Sequence, residues 1–235
     1  MIKTAKTLAK ELLPPVVFRL VKSFNNSQIV SDKVRNTQVA NEEEGSERTA
    51  DYYDQRCLEL DSWHIHYSKT QYYPMWSVIA DRLQHADIKS LLEIGCGAGQ
   101  LAALLYDKGI NQYLGFDFSP NFVATAKKAC PELNFVVADA FETDIFYTHD
   151  YDSVISTEFL EHVERDLEVI EKIRKGTRFY GSVPNFMMKS HVRYFKNVQE
   201  VSDRYAKYFD SFLVDTFLST RNQSTVYYLF EGIKR

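Results

Sequence analysis

From residue 89 onward, short apolar runs alternate with stretches whose apolar residues recur every three or four positions. Ser90–Ile94, Gln112–Phe116, Phe135–Ala138, Ser153–Ser156 and Arg178–Val183 are brief and rich in aliphatic or aromatic side chains, which predicts five strands. Segments around Leu101–Leu105, from Pro120 to Ala129 and from Leu160 to Ile173 carry the helical spacing instead. Strands alternating with helices imply a parallel sheet covered on both faces. The end of the chain breaks this rhythm. Phe212–Leu218 and Thr225–Phe230 read as strands, joined through the polar Arg221–Ser224. So short a link forces an antiparallel hairpin. The expected fold is α/β: a seven-stranded, mostly parallel sheet with an antiparallel C-terminal hairpin, plus N-terminal helices.

Upstream of the sheet the pattern is different. Over residues 1–22, Ile2, Ala5, Leu8, Ala9, Leu12 and Leu13 fall near a helical spacing with Lys3, Lys6 and Lys10 between them. Pro14–Pro15 interrupts the helix, and Val16, Val17, Leu20 and Val21 continue its apolar character. A basic amphipathic helix can lie on an anionic membrane. It can also dock on its own domain or on a second subunit, as a homodimer contact. Residues 23–50 hold few large apolar groups and carry Glu42–Glu44 followed by Gly45–Ser46, the composition of a linker or exposed loop. The expected division is therefore an amphipathic helix and linker over 1–50, and one domain over 51–235. Aromatic density rises at the start of that domain, with Tyr52, Tyr53, Trp63, Tyr67, Tyr72, Tyr73 and Trp76. Pro74 opens a helix through Met75, Val78, Ile79 and Leu83, and this aromatic, helical stretch is the expected lid.

Composition narrows the classes. With 235 residues, 45% apolar and 26% charged, the chain can build one sizeable core. A net charge of -4 argues against a dedicated nucleic-acid binder. Cys57, Cys96 and Cys130 lie far apart with no Cys-x-x-Cys pair, so no disulfide framework or zinc site is expected. A reducing cytoplasm fits them. No stretch reaches the roughly 18–20 apolar residues that span a bilayer. The N-terminal apolar run is cut by Lys10, Glu11 and Pro14–Pro15, unlike a signal peptide. The expected location is cytoplasmic, with any membrane contact made peripherally through residues 1–22.

Candidate chemistry centres on Leu91-Leu92-Glu93-Ile94-Gly95-Cys96-Gly97-Ala98-Gly99. A glycine-rich turn between a first strand and a helix brings backbone close to a ligand beside a helix N-terminus. The dinucleotide fingerprint Gly-x-Gly-x-x-Gly would place its third glycine at Gln100, which weakens a nicotinamide reading. Asp117 ends the second strand about 20 residues on, where a carboxylate accepts from ribose hydroxyls.

The segment at 92–99 resembles motif I of class I S-adenosylmethionine-dependent methyltransferases, in which an acidic residue precedes the glycines. Gly115–Ser119 resembles their second motif and Val137–Ala140 their third. Thr157-Glu158-Phe159-Leu160-Glu161-His162-Val163 is similar to the segment after the fourth strand in the ubiquinone-biosynthesis O-methyltransferase-like branch. The resemblance covers roughly residues 50–235. It implies a Rossmann-like sheet and S-adenosyl-L-methionine as cofactor, with S-adenosyl-L-homocysteine as product. It also implies roles: Gly95, Cys96, Gly97 and Gly99 pack against the methionine and ribose, and Glu93 orders their turn. Asp117 takes the ribose diol, Phe118 stacks on adenine, and Asp139 with Ala140 faces the adenine edge. Glu158 and Tyr72 lie by the methionine end and its sulfonium.

Methyl transfer from a sulfonium is an in-line displacement, so alignment carries much of the catalysis. A hydroxyl acceptor also gains from a base. His191 and His162 are the candidates, each following a strand at the carboxyl edge of the sheet. His64, His66, Tyr67, Tyr73 and Arg193 are further candidates for the pocket, Arg193 as partner to an anionic acceptor. These histidines form no zinc signature, and no metal is expected. After the fourth strand, Ser156–Phe159 lacks the Asn/Asp-Pro-Pro-aromatic motif of exocyclic-amine methyltransferases, which disfavours nucleic-acid bases. Leu12-Leu13-Pro14-Pro15 resembles the opening of methyltransferases from bacterial surface-glycan clusters. A small molecule is the expected partner, with an oxygen of a sugar or glycan precursor as acceptor. A lipid-like quinol at the membrane, or a catalytically silent cofactor binder, is the alternative.

Overall fold

The computed structural model describes residues 45–235; the expected helix over 1–22 and the linker up to residue 44 lie outside the described residues. Seven strands form a sheet in the order β3-β2-β1-β4-β5-β7-β6. They are β1 (Leu91–Ile94), β2 (Tyr113–Asp117), β3 (Asn134–Val137), β4 (Ser153–Thr157), β5 (Arg178–Pro184), β6 (Phe209–Leu218) and β7 (Val226–Lys234). The first five run parallel, with Leu91 level with both Tyr113 and Ser153. β7 pairs antiparallel with β5 and with β6, as the short polar connection demands. The sheet and its terminal hairpin thus follow the sequence pattern.

Every residue of β1, β2 and β4 is buried, because helices cover both faces of a parallel sheet. One face packs against α2 (Tyr73–His85), α3 (Gln100–Asp107) and α4 (Pro120–Ala129), through Ile79, Leu83, Leu101, Leu105, Val123 and their neighbours. The other is covered by α5 (Ile145–Thr148), α6 (Asp166–Lys172) and α7 (Val198–Tyr205), with Phe146, Val169, Ile170 and Val201 inside. Helix α1 (Ala50–Glu59) lies against α4, its Asp54 accepting from the Asn121 amide and the Ser119 hydroxyl at the start of that helix.

Two departures from the sequence pattern matter for the site. The last residues of the expected linker are fastened to the domain: Ser46 N–H and the Arg48 guanidinium both donate to the Lys189 carbonyl, and Glu47 accepts from Glu164 N–H. The helix expected from Leu160 begins only at Asp166. Residues 158–165 form turns instead, because Glu158 adopts a left-handed backbone (φ 52°) that redirects the chain as it leaves β4. Ser182 on β5 stabilises this conformation twice. Its hydroxyl accepts from Glu158 N–H (3.0 Å) and donates to the Glu158 carboxylate (2.8 Å).

Candidate cofactor and acceptor site

Strand order reverses between β1 and β4, and a crevice opens beyond the carboxyl ends of the strands at such a point. Here it is a cavity of about 260 Å³. The glycine turn forms its floor. Gly95, Gly97 and Gly99 all have left-handed backbones (φ 71°, 51° and 76°). A Cβ at Gly95 would lie 2.7 Å from the Phe159 ring, and one at Gly99 would lie 2.9 Å from the Ala126 backbone. Gly97 faces open space, with nothing within 4 Å of such a Cβ. Glycine is therefore required at 95 and 99 by neighbours, and at 97 by conformation where the chain meets the cavity.

Asp117, at the end of β2, is buried and holds this turn. Its carboxylate accepts from Gly97 N–H (3.0 Å) and from Ser119 N–H (2.9 Å). Burial raises its pKa to about 6, opposed by those backbone hydrogen bonds. Glu93 is buried beneath the turn, accepts from the Tyr113 hydroxyl, and is pushed up by burial to about 8. Both carboxylates line the cavity with Cys96, Phe118, Asp139, Ala140 and Tyr72. Asp139 is exposed and accepts from Phe141 N–H (2.7 Å), so it also orders the turn after β3. Gly99 opens α3 and, unlike Gly95 and Gly97, does not line the cavity.

The opposite wall comes from the turn after β4 and the segment after β5. Glu158, Glu161, His162 and His191 all line it. Burial raises the pKa of Glu158 to about 8 and lowers that of His162 to about 3, with His191 adding to the effect on His162. Glu161 is raised well above the usual carboxylate range, by burial first and Glu158 second. His191 is lowered by burial. The imidazoles meet edge to face, 4.7 Å between centres. His162 Nδ1 lies 2.7 Å from the Ser190 carbonyl and His191 Nδ1 lies 3.0 Å from the Phe186 carbonyl. A carbonyl only accepts, so both Nδ1 atoms carry the proton and both Nε2 atoms present lone pairs. Donor atoms of Glu161, His162 and His191 all lie within 4.8 Å of one another, a set able to hold a cation.

Not every sequence candidate reaches this cavity. Tyr67 donates its hydroxyl to Asp107 on the surface, and Tyr73 is exposed in the first turn of α2 and does not line the cavity. His64 bonds the Cys57 carbonyl and His66 caps a short 3₁₀ turn; neither lines the cavity. Arg193 is spent on the carbonyls of Leu160, Val163 and Glu164 and on Asp166, which leaves it no role against an acceptor. It fastens the histidine turn from behind. Two contributors had no individual signal in the sequence. Tyr53 of α1 places its hydroxyl 3.0 Å from His162 Nδ1 and its ring 5.4 Å from that of Phe118, bridging the two walls. Glu161 was hidden by the expectation of a regular helix.

Residues 92–182 match the family model described as a methyltransferase domain. The chain is 33% identical over 79 residues to trans-aconitate 2-methyltransferase of Escherichia coli O139:H28, a match covering 33% of this chain and 31% of that protein. It thus spans about a third of the length of the curated relatives it matches. Among solved structures, the N-methyltransferase NodS of Bradyrhizobium japonicum bound to S-adenosyl-l-homocysteine is similar at a TM-score of 0.58. That match has 13% identity and covers 79% of this chain and 99% of the other. Magnesium protoporphyrin IX methyltransferase of Synechocystis, also bound to S-adenosyl-l-homocysteine, gives 0.54 at 14% identity, over 70% and 84%. The motifs and the family match converge on a methyltransferase domain over residues 92–182, carried on a fold similar to those of methyltransferases bound to S-adenosyl-l-homocysteine.

Proposed function

We propose that this protein transfers the methyl group of S-adenosylmethionine to a hydroxyl oxygen of a small molecule, a sugar or glycan precursor. The observation that carries this reading is the wall of Glu161, His162 and His191, which opens on the same cavity as the glycine turn. In this reading the cofactor lies on Gly95–Gly97, its ribose on Asp117 and its adenine between Phe118 and Asp139–Ala140. Tyr72 and Glu158 flank the methionine end. The acceptor enters between that end and the histidines.

Such an arrangement suits a hydroxyl. As the oxygen attacks, the methyl–sulfur bond breaks, the methyl–oxygen bond forms, and the hydroxyl proton must leave. The lone pairs of His162 and His191 and the carboxylate of Glu161 all accept, and a hydroxyl is a donor. Trp63, Trp76 and Phe186 line the cavity as well, giving flat apolar faces of the kind that pack on a sugar ring. The Leu12–Pro15 resemblance points to the same acceptor class.

The test is methyl transfer from labelled cofactor to a panel of sugars, sugar nucleotides, quinols and amines. Labelling of a hydroxylated sugar, lost in His162→Ala/His191→Ala, is the expected result. Labelling of amines alone would overturn the oxygen acceptor. Cofactor binding without transfer to any acceptor would favour a silent binder.

A further inference from the structure

The acceptor wall has an imbalance that a hydroxyl alone leaves in place. Glu161 is fully buried, and neither of its side-chain oxygens has a hydrogen-bond partner among the described residues. Its Oε1 lies 3.7 Å from His162 Nε2. That nitrogen is itself an acceptor, because the proton of His162 is held by the Ser190 carbonyl. His191, buried beside it, is fixed the same way by the Phe186 carbonyl. The acceptor atoms of one carboxyl group and two imidazoles therefore gather within 4.8 Å of one another. A buried, unpaired carboxylate is costly. One incoming hydroxyl brings a single proton and can satisfy only one of these groups. A positive centre satisfies all of them at once.

We propose that Glu161, His162 and His191 bind a divalent cation of the first transition row, which takes the acceptor's hydroxyl oxygen as a further ligand. The donor set fits. Two neutral imidazoles and a carboxylate suit manganese, iron, cobalt or zinc better than the all-oxygen demands of magnesium or calcium. Each histidine donates its other ring N–H to a backbone carbonyl, the arrangement that orients a metal ligand. Metal–ligand bonds of about 2.0–2.2 Å place neighbouring donor atoms about 3.0–3.5 Å apart. The Glu161–His162 separation of 3.7 Å is near that span, and no pair in the set is more than 4.8 Å apart, so small side-chain movements close it on an ion. The turn carrying Glu161 and His162 is braced by Arg193, and Tyr53 supports His162 from the other side, so the donors are held for the ion.

This inference rests on the oxygen-acceptor reading for its chemistry but not for its site. With the ion present, the histidines are ligands and not bases. Bound to the ion, the hydroxyl would lose its proton to solvent water more readily, and its oxygen would bond the cofactor's methyl carbon as the methyl–sulfur bond breaks and neutral S-adenosylhomocysteine leaves. No oxidation state changes.

The experiment is calorimetric titration of the full chain with Mn2+ and Zn2+ after treatment with chelator, with manganese also followed by its electron-spin resonance. S-adenosylhomocysteine is titrated in parallel. One equivalent of metal is expected for the wild type. Glu161→Gln and His191→Ala should bind it at least about a hundredfold more weakly, with S-adenosylhomocysteine binding unchanged. Metal should raise the melting temperature of the wild type and not of Glu161→Gln. Without metal, Glu161→Gln should melt no lower than wild type, because it replaces a buried carboxyl group that has no hydrogen-bond partner among the described residues; a structural hydrogen-bonding role would give the opposite. No stoichiometric metal, or equal binding by the variants, overturns the site. Transfer to a hydroxyl that persists in excess chelator overturns the ion's role and leaves the oxygen reading standing. Metal binding as expected with no hydroxyl methylated supports the site and sinks that reading instead.

Discussion

The two walls of the cavity solve opposite problems with the same kind of side chain. On the cofactor wall, Asp117 is a buried carboxylate whose oxygens accept from the backbone N–H groups of Gly97 and Ser119. On the acceptor wall, Glu161 is a buried carboxyl group with no hydrogen-bond partner among the described residues. Asp117 sits at the end of a strand, beside a turn that must have glycines. Glu161 sits in a turn that exists because a non-glycine residue, Glu158, takes a left-handed backbone held by Ser182. The cofactor wall is complete without its ligand. The acceptor wall gathers buried acceptors around Glu161, and its stability must come from elsewhere.

Asp166 is where that support is concentrated, and removing it should have the largest effect. It is fully buried in α6 and accepts from Arg204 (2.6 and 2.8 Å) and from the Tyr205 hydroxyl (2.8 Å). Arg193 lies 3.5 Å away, and the same guanidinium holds the carbonyls of the turn bearing Glu161 and His162. Deleting one partner of a buried ionic cluster costs about 3–5 kcal/mol. Asp166→Ala should therefore lower the urea midpoint steeply and weaken metal binding beyond the loss of stability. Binding of S-adenosylhomocysteine to whatever remains folded should change little. A cost below about 1 kcal/mol would show that the acceptor turn does not depend on this brace.

The matching test on the other wall is Asp117. Asp117→Ala orphans two backbone N–H groups and removes the acceptor proposed for the ribose diol. Hydrogen bonds to a charged group contribute about 1.5–3 kcal/mol each, so cofactor affinity should fall about a hundredfold in calorimetry. Metal binding should be untouched. The wild type carries the same test in its pH dependence. Ribose hydroxyls donate to the ionised carboxylate, whose pKa is raised by burial to about 6. Affinity should be level above that pH and fall by up to about tenfold per unit below it. The sign for stability is the reverse: a carboxyl raised from its usual value favours the folded state at low pH, and that contribution fades as pH rises through about 6. Affinity that rises on acidification would remove Asp117 from the cofactor site.

This difference also governs what the sequence could reveal. The sheet was legible because its strands are continuous apolar runs with helical spacing between them, and the terminal hairpin because Arg221–Ser224 is too short for a crossover. The cofactor wall was legible because its geometry depends on glycine: a left-handed turn against Phe159 and Ala126 admits little else, and that constraint is written in residue identity. The acceptor wall depends on a left-handed glutamate, which has no such signature. The apolar spacing from Leu160 to Ile173 therefore read as one helix, and Glu161 was overlooked. Arg193 looked free for a ligand because its partners are backbone carbonyls, which sequence does not display. Among Tyr53, Tyr67, Tyr72 and Tyr73, nothing local told surface from cavity; tertiary contact decided it.

Tyr53 joins the two walls, and its hydroxyl gives the smallest and most discriminating prediction. The ring packs against Phe118 on the cofactor side and stands edge-on to His162 at 5.9 Å. Tyr53→Phe keeps both contacts and removes only the oxygen 3.0 Å from His162 Nδ1. The Ser190 carbonyl, at 2.7 Å, still holds that proton, so the tautomer survives and one of two supports is lost. A typical net hydrogen bond contributes about 0.5–1.5 kcal/mol, which sets the expected loss in turnover at about two- to tenfold. If the walls work separately, the loss falls on turnover and metal affinity alone, with S-adenosylhomocysteine affinity within about twofold of wild type. If S-adenosylhomocysteine affinity drops as much as turnover does, the hydroxyl is coupling the walls, and cofactor binding must be helping to set the acceptor side.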